Sequence, residues 1–189
     1  MKKGVMIGLI ILGIVVVAVG GFLIYDLNKN SFSDNNLGET KTLIHKDFRA
    51  VISGEWKESE VGSSTFLYLP LNTDSKDINA EFMLINSAYL GENNNFTLDG
   101  LLEQGINASE QIMPDFELLE NNEWSNGNLE GKEIKFAGTQ EEVKREFTQV
   151  FGIKYNSIYS VTYSCPIENC NYYESYNSLV ESFEPVEAK

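Results

Sequence analysis

Histidine is almost absent from the 189-residue sequence, since His45 is the only one. A Ser-His-Asp catalytic set would have to use this residue, which lies beside a predicted linker, so we expect none. The P-loop, dinucleotide-binding, His-Glu-x-x-His and Gly-x-Ser-x-Gly motifs are also missing. These absences predict a non-catalytic protein with no cofactor and no metal site. Paired carboxylates among the many acidic residues leave a hydrolase open as an alternative.

Charged residues are missing from residues 5–25, and this run consists mainly of Val, Ile, Leu, Gly, Ala, Met and Phe. As a helix it would span roughly 31 Å, which matches a bilayer core of about 30 Å. A buried helix of a soluble domain is the alternative, but such a helix is rarely apolar on every face for this length. The sequence therefore predicts a single transmembrane anchor over residues 5–25.

The orientation of the anchor follows from its flanks. Lys2 and Lys3 precede the apolar run, and Asp26 follows it. Because positive charge stays inside, we expect residues 1–4 in the cytoplasm and the C-terminal domain outside it, at the cell membrane. A cleaved signal peptide is the other possibility. The run exceeds the usual apolar region of about 7–15 residues, and no Ala-x-Ala site follows, so an uncleaved anchor is the expectation.

Basic residues are few compared with acidic ones. The chain has 14 Lys and Arg against 28 Asp and Glu, a net charge of −14. Without Lys2, Lys3, Lys29 and Asp26, which lie in or beside the anchor, 27 acidic and 11 basic residues remain, or −16. Phosphate backbones would repel such a domain, so we expect no nucleic-acid partner. Solubility is the simplest meaning of this charge, and a cation store is the alternative.

The composition divides the remaining chain into three parts. Residues 26–41 are rich in Asn, Ser, Gly and Asp and predict a flexible linker. Short apolar runs then predict a folded domain over residues 42–185, and residues 186–189 form a tail. Strands are predicted over residues 48–52, 65–69, 78–85, 116–119, 134–136, 147–153 and 158–163, with a turn at Asn126-Gly127.

Two segments have helical periodicity. Residues 98–112 follow Thr97 as a predicted N-cap, and residues 172–183 follow a predicted capping box of Asn171 and Glu174. The order β-β-β-α-β-β-β-β-α predicts an α+β fold with one antiparallel sheet flanked by helices. Apolar residues on both faces of residues 78–85 indicate that both faces of the sheet are covered. The predicted core comprises Phe82, Leu84, Phe116, Phe147, Phe151, Leu179 and Phe183.

Several local segments resemble the PsbP-like domains. Residues 48–56, ending at Trp56, are similar to their opening strand and turn, and residues 131–136 are similar to a mid-domain strand that follows a glycine. Residues 158–164 and the helix ending at 180–183 resemble their last strand and helix. The superfamily also includes the yeast Ran-binding Mog protein and bacterial DcrB-type envelope proteins, and the resemblance covers residues 42–183.

The resemblance implies an α/β/α sandwich that binds partners rather than catalysing a reaction. It also implies that Trp56 occupies a core position. Metal binding in photosynthetic members draws on histidines, and this chain departs from that pattern because it has only His45. The resemblance therefore implies no metal site here.

Cys165 and Cys170 are the only cysteines and lie at the junction of the last strand and helix. Outside the cytoplasm such a close pair is expected to form a disulfide, which would contribute roughly 2 kcal/mol. A redox-active pair is the alternative, although the spacing differs from Cys-x-x-Cys. A zinc site would need two further ligands.

Other polar motifs leave two interpretations open. Asn95 and Asn107 match the glycosylation sequon and would be used only in a host with the machinery. Trp124 lies in a predicted polar turn and would be either an exposed partner anchor or a ring folded back onto the sheet. The oxygen-rich groups at Asp74, Asp77 and Glu81 and at residues 91–95 would bind a hard cation weakly or form a solvated surface.

Together these features predict a membrane-anchored binding or accessory module outside the cytoplasm. Its partner would be an envelope or extracellular protein, and Trp124 is the predicted contact residue.

Overall fold

The computed structural model describes residues 39–62, 65–74, 77–92 and 95–187. The predicted cytoplasmic N-terminus (1–4) and membrane anchor (5–25) lie outside the described residues, as does the linker up to residue 38. Within the described ranges, no helix has the length and apolar character needed to cross a membrane. The first strand begins at Thr40, two residues before the predicted start of the domain.

The described residues form ten strands and two helices. In chain order these are β1 Thr40–Ile44, β2 Phe48–Ser53, β3 Trp56–Gly62, β4 Thr65–Pro70, β5 Phe82–Tyr89, α1 Leu98–Ile112, β6 Glu117–Ser125, β7 Glu130–Gln140, β8 Val143–Lys154, β9 Ser157–Pro166, α2 Tyr173–Ser182 and β10 Glu184–Pro185. The α+β class and the two helices are confirmed. The prediction of one sheet is wrong, because β1, β2 and β10 form a separate three-stranded sheet.

The large sheet has seven strands in the order β3-β4-β5-β9-β8-β7-β6, and every neighbouring pair is antiparallel. Side chains alternate between its two faces. Met83 and Ile85 join the core that includes α2 and β2, whereas Phe82 and Leu84 join the core that includes α1. Both faces of the sheet are therefore covered, as the apolar pattern predicts.

The predicted core residues are buried, except that Phe116 is only half-buried. Phe116 precedes the edge strand β6 and packs against Phe136, with ring centroids 5.7 Å apart. Trp56 is 2% exposed, as the family resemblance implies. Gly131 is required by packing: a Cβ at this position would lie 2.0 Å from the carbonyl oxygen of Phe151 on β8.

Several predicted strand boundaries are wrong, among them both ends of β7 and the start of β8, and β1, β3 and β10 were not predicted. The segment from residue 78 to Glu81 is not part of β5, because Asp77 forms a turn in which its carbonyl accepts from the amide of Ala80. Strand β6 continues to Ser125 instead of ending at residue 119. Residues 120–123 are polar because they lie at an exposed sheet edge, so apolar periodicity does not reveal them.

Of the two predicted helix N-caps, one is confirmed and one is wrong. Thr97 is the N-cap of α1, and its hydroxyl accepts from the amide of Gly100 at 3.1 Å. The predicted capping box at Asn171 and Glu174 is wrong, because Tyr172 is the N-cap of α2 and its side chain forms no capping bond. The carboxylate of Glu81 accepts from the backbone amides at this end of the helix instead.

Candidate functional site

Strand β6 forms one edge of the large sheet, and within the described residues it pairs only with β7. All nine of its residues are exposed apart from Trp124, which is half-buried. Leu118 and Leu119 are 36% and 42% exposed, next to a register shift between Leu118 and Glu120. Alternate residues of an edge strand direct their backbone N–H and C=O groups away from the sheet. This edge therefore offers backbone groups that another extended chain can pair with.

A surface cleft of about 410 Å³ lies at the end of β6. Its lining combines one apolar residue of α1 with the last residues of β6 and the first residues of β7: Leu98, Glu123, Trp124, Ser125, Glu130 and Gly131.

Lys132 connects this cleft to α1. Its ammonium group lies 2.8 Å from a carboxylate oxygen of Glu123 and 2.9 Å from one of Asp99. The hydrogen bonds to Glu123 and Asp99 raise the pKa of Lys132 above its ordinary value, so the group is charged at neutral pH. The lysine neutralises part of the local negative charge and holds the hairpin against the start of the helix.

Trp124 does not lie in a free polar turn, and the predicted setting is wrong in this respect. It lies within β6, opposite Gly131, and its side chain packs against the core on the α2 side of the sheet. Glu123 is on the opposite side, because side chains alternate along a strand. The ring therefore folds back onto the sheet, while the residue also contributes to the cleft. A contact role for Trp124 stays a prediction.

The turn after β6 is fixed to the end of α2 by Asn126. Its side-chain nitrogen donates to the carbonyl oxygens of Val180 at 2.9 Å and Phe183 at 2.7 Å. Its side-chain oxygen accepts from the amides of Asn128 and Leu129 within the turn. This one side chain satisfies carbonyls at the C-terminal end of the helix, which have no partner within the helix itself.

The α2 side of the β6–β8 region carries a group of carboxylates. Cross-strand register places Glu120 opposite Lys135, and the ammonium of Lys135 lies 3.1 Å from a carboxylate oxygen of Glu146. Burial by itself would lower the pKa of Lys135, but its hydrogen bond to Glu146 and the negative charge around it raise that pKa. Burial raises the pKa of the nearby Tyr173, and the charge of Glu133 adds to this shift.

Glu81 is the centre of a buried polar network that the sequence interpretation missed. The residue is 5% exposed, and its carboxylate accepts from the amides of Asn171 at 2.9 Å and Tyr172 at 3.1 Å. It also accepts from the side-chain amide of Asn171 and the hydroxyl of Tyr163. Both oxygens are thus bonded to groups of the protein itself, so Glu81 has a structural role.

Arg145 is the buried cation nearest to this carboxylate network. Its guanidinium donates to the hydroxyl of Ser164 at 2.8 Å and to the carbonyl of Ile78 at 3.0 Å. Burial lowers the pKa of Arg145 to about 10, and the negative charge of Glu81 opposes this shift. Arg145 lies two residues before the predicted strand over residues 147–153, and an arginine so close to a strand is the sequence signal that could have indicated a buried acidic partner.

The remaining predicted residues lie at separate places in the domain. The disulfide between Cys165 and Cys170 is confirmed, with 5.2 Å between their Cα atoms. Asp74 and Asp77 are exposed and Glu81 is buried, so these three do not form one surface cluster. No group of three metal-binding side chains occurs in the part of the chain that the structure describes. Asn95 and Asn107 are both exposed, and their glycosylation stays a prediction.

His45 lies between the two sheets rather than in a catalytic set. Its ring contacts that of Phe66, with centroids 3.9 Å apart, and its Nε2 atom is 3.8 Å from a carboxylate oxygen of Glu58. The hydroxyl of Tyr68 donates to the same carboxylate at 3.0 Å. Burial, followed by the charge and hydrogen bond of Glu58, raises the pKa of Tyr68.

No family model and no curated protein matches the sequence. Solved structures do share the fold. The solution structure of cyanobacterial PsbP (CyanoP) from Synechocystis sp. PCC 6803 superposes with a TM-score of 0.60 at 10% identity, covering 84% of this chain and 99% of that one. The Ran-binding protein Mog1p of Saccharomyces cerevisiae gives a TM-score of 0.55 at 9% identity, with 79% and 97% covered.

A third structure is LpqN of Mycobacterium tuberculosis, which is involved in cell envelope biogenesis. It gives a TM-score of 0.54 at 8% identity and covers 85% of this chain and 94% of its own. The described domain therefore has a PsbP-like fold, as the sequence resemblance implies. At these identities the likeness establishes the fold alone, because one fold hosts many functions.

Proposed function

We propose that this protein is a membrane-anchored, non-catalytic binding module that acts outside the cytoplasm. We further propose that it contacts a protein partner through the β6–β7 hairpin, residues 117–140. The observation that carries this proposal is the β6 edge, which is exposed along its length and ends at a cleft of about 410 Å³. Similarity in fold to a Ran-binding protein and to a protein of cell envelope biogenesis supports a binding role.

The arrangement of the acidic groups favours binding over catalysis. Glu123 is paired with Lys132, and Glu81 is enclosed by donors of the protein itself. A hydrolase that uses paired carboxylates is the second candidate, because Glu123 and Glu130 both line the cleft. A carboxylate pair would have to flank the bond to be cleaved. Glu130→Gln removes one acid without changing the shape of the residue, so it separates the two functions.

Photocrosslinking in intact cells tests the binding proposal. A photoreactive residue replaces Asn121, which is exposed on β6, and a control replaces Glu103, which is exposed on α1. We expect a reproducible partner to be captured from position 121 and not from position 103. Capture from both positions, or from neither, would contradict the use of the hairpin.

The role of Trp124 requires a variant that keeps its packing. Trp124→Phe retains an aromatic ring in the core, whereas Trp124→Ala removes it and also weakens the fold. If Trp124 contacts the partner, both variants reduce crosslinking from position 121, and Trp124→Ala reduces it more. If purified protein instead cleaves an envelope polymer and Glu130→Gln abolishes that cleavage, the hydrolase is the correct function.

A further inference from the structure

The chemistry of the β6 edge restricts the kind of partner that fits it. Strand β6 has nine residues and is exposed on both faces up to Trp124, and among the residues that the structure describes it pairs with β7 on one side only. An extended segment that adds to such an edge gains a row of main-chain hydrogen bonds without requiring a deep pocket. The register shift between Leu118 and Glu120 divides the strand, which pairs regularly with β7 at residues 117–118 and again over residues 120–125.

Charge selects among the segments that could pair with this edge. Glu117, Glu120 and Glu123 project from β6, and all three are exposed. Opposite charges facing each other across two strands favour pairing, whereas like charges disfavour it. A second copy of the chain would bring six carboxylates onto one two-stranded ladder. These glutamates therefore oppose self-association through β6 and favour a strand rich in Lys or Arg.

The nearby lysines cancel only part of this charge. Lys132 is shared by Glu123 and Asp99, and Lys135 is held by Glu146, so in the described residues neither lysine forms an ion pair with Glu117 or Glu120. Glu130 is exposed and lines the cleft at the end of the strand, beside Leu98. A long basic side chain suits this setting, because its methylene groups can cover an apolar residue while its charged end stays near carboxylates.

We infer that the partner segment is an extended basic peptide strand that adds to β6 and places a Lys or Arg side chain in the cleft. This inference rests on the proposed function, because it specifies the partner of the same hairpin. It adds a strand geometry and a charge requirement that the proposed function does not contain.

The probe is a synthetic peptide of the length of β6 in which Lys alternates with Val and Thr. Its control is the same peptide with Glu in place of Lys. Both are titrated against the full chain in neutral detergent, at low and at physiological salt. Hydrogen–deuterium exchange then measures whether the bound peptide protects the amides of β6.

A matched pair of variants separates a local contact from general charge attraction. Glu117→Lys with Glu120→Lys reverses two charges on β6, and Glu103→Lys with Glu110→Lys reverses two exposed charges on α1. Both double variants change the net charge equally. We expect the β6 variant to weaken binding of the Lys peptide about tenfold or more and the α1 variant to change it by less than about threefold, because charge pairs act over short range in salt.

Protection of β6 amides by the Lys peptide, together with this difference between the variants, would support the inference. Equal weakening by both variants, equal binding of the Glu peptide, or unprotected β6 amides would each overturn it. A partner captured from position 121 that leaves the β6 amides unprotected would refute strand addition and leave the proposed function intact. If no partner is captured from position 121, the proposed function itself fails.

Discussion

Among alanine substitutions of single acidic residues, we expect Glu81→Ala to destabilise the domain most. The carboxylate accepts from two backbone amides at the start of α2 and from the hydroxyl of Tyr163. Its charge also favours the charged form of the buried Arg145 and so opposes the lowering of the Arg145 pKa by burial. Alanine removes all of these interactions at once and leaves the donors in place.

The loss in the free energy of unfolding can be estimated from the donor groups that lose their acceptor. A buried donor left without an acceptor lowers stability by about 1–3 kcal/mol, and hydrogen bonds to charged groups are stronger than neutral ones. Removing one partner from a buried charged network lowers stability by about 3–5 kcal/mol. Because Asn171 is exposed, water can replace part of what it loses. We therefore expect a loss of about 3–5 kcal/mol for Glu81→Ala and roughly half of that for Glu81→Gln, which keeps one acceptor oxygen.

Equilibrium urea unfolding of the full chain, followed by tryptophan fluorescence, measures this loss. The buried Trp56 is a suitable reporter, because its ring centroid lies 5.2 Å from that of Tyr172, whose amide donates to Glu81. Glu168→Ala is the matched control, since Glu168 is exposed between the two cysteines and is expected to change stability by less than about 0.5 kcal/mol. If Glu81→Ala changed stability no more than Glu168→Ala, the network would not stabilise the fold.

Three further predictions concern the disulfide, alkaline pH and topology. Replacing Cys165 and Cys170 by Ser should lower the free energy of unfolding by roughly 2 kcal/mol without unfolding the domain, because the disulfide closes only a short loop. The mass of the protein, measured with and without reductant, tests whether the disulfide is present. Two freely alkylated thiols in protein from its native compartment would contradict it. Stability should fall as pH rises above about 10, the ordinary pKa of tyrosine. Burial raises the pKa of Tyr68 and Tyr163, so the folded state keeps protons that the unfolded state releases. Arg145, with its pKa lowered to about 10, acts in the opposite direction, but it is one group against several, because burial also raises the pKa of Tyr159, Tyr173 and Tyr176. Tyr68→Phe should therefore reduce the decline in the urea unfolding midpoint, and an unchanged decline would show that Tyr68 does not contribute to it. Protease added to intact spheroplasts should digest the domain if the N-terminal segment anchors it outside the cytoplasm, whereas full protection, or a mature N-terminus near residue 26, would contradict an uncleaved anchor of this orientation.

Local pattern was sufficient for much of the fold. The alternation of Phe82 and Leu84 with Met83 and Ile85 predicted a sheet covered on both faces, and the structure confirms it. The spacing of the two cysteines predicted their disulfide. Thr97 was predicted as an N-cap from its position before a helical period. Each of these features depends on residues that are close together in the sequence.

Contacts between distant residues were not predictable in this way. Glu81 and Asn171 are 90 positions apart, and Asn171 bonds to Glu81 instead of forming the predicted capping box with Glu174. The two-residue strand β10 gives no periodic pattern, and the sequence of β1, Thr-Lys-Thr-Leu-Ile, has no alternation of apolar and polar residues. Strand β6 was predicted too short, because its exposed polar residues contribute no apolar signal. The candidate site lies on this strand, so its geometry had to come from the structure.

The same long-range contacts would favour the proposed use of β6 as a binding edge. Lys132 ties the hairpin to α1 through Asp99, and Asn126 ties its turn to the C-terminal end of α2. Glu81 in turn fixes the N-terminal end of α2 to the chain entering β5. A hairpin held at these points loses little conformational freedom when a partner binds, and ordering of loose segments is one of the main terms opposing association. Asn126→Ala should therefore weaken partner capture from position 121 while leaving every residue of β6 in place.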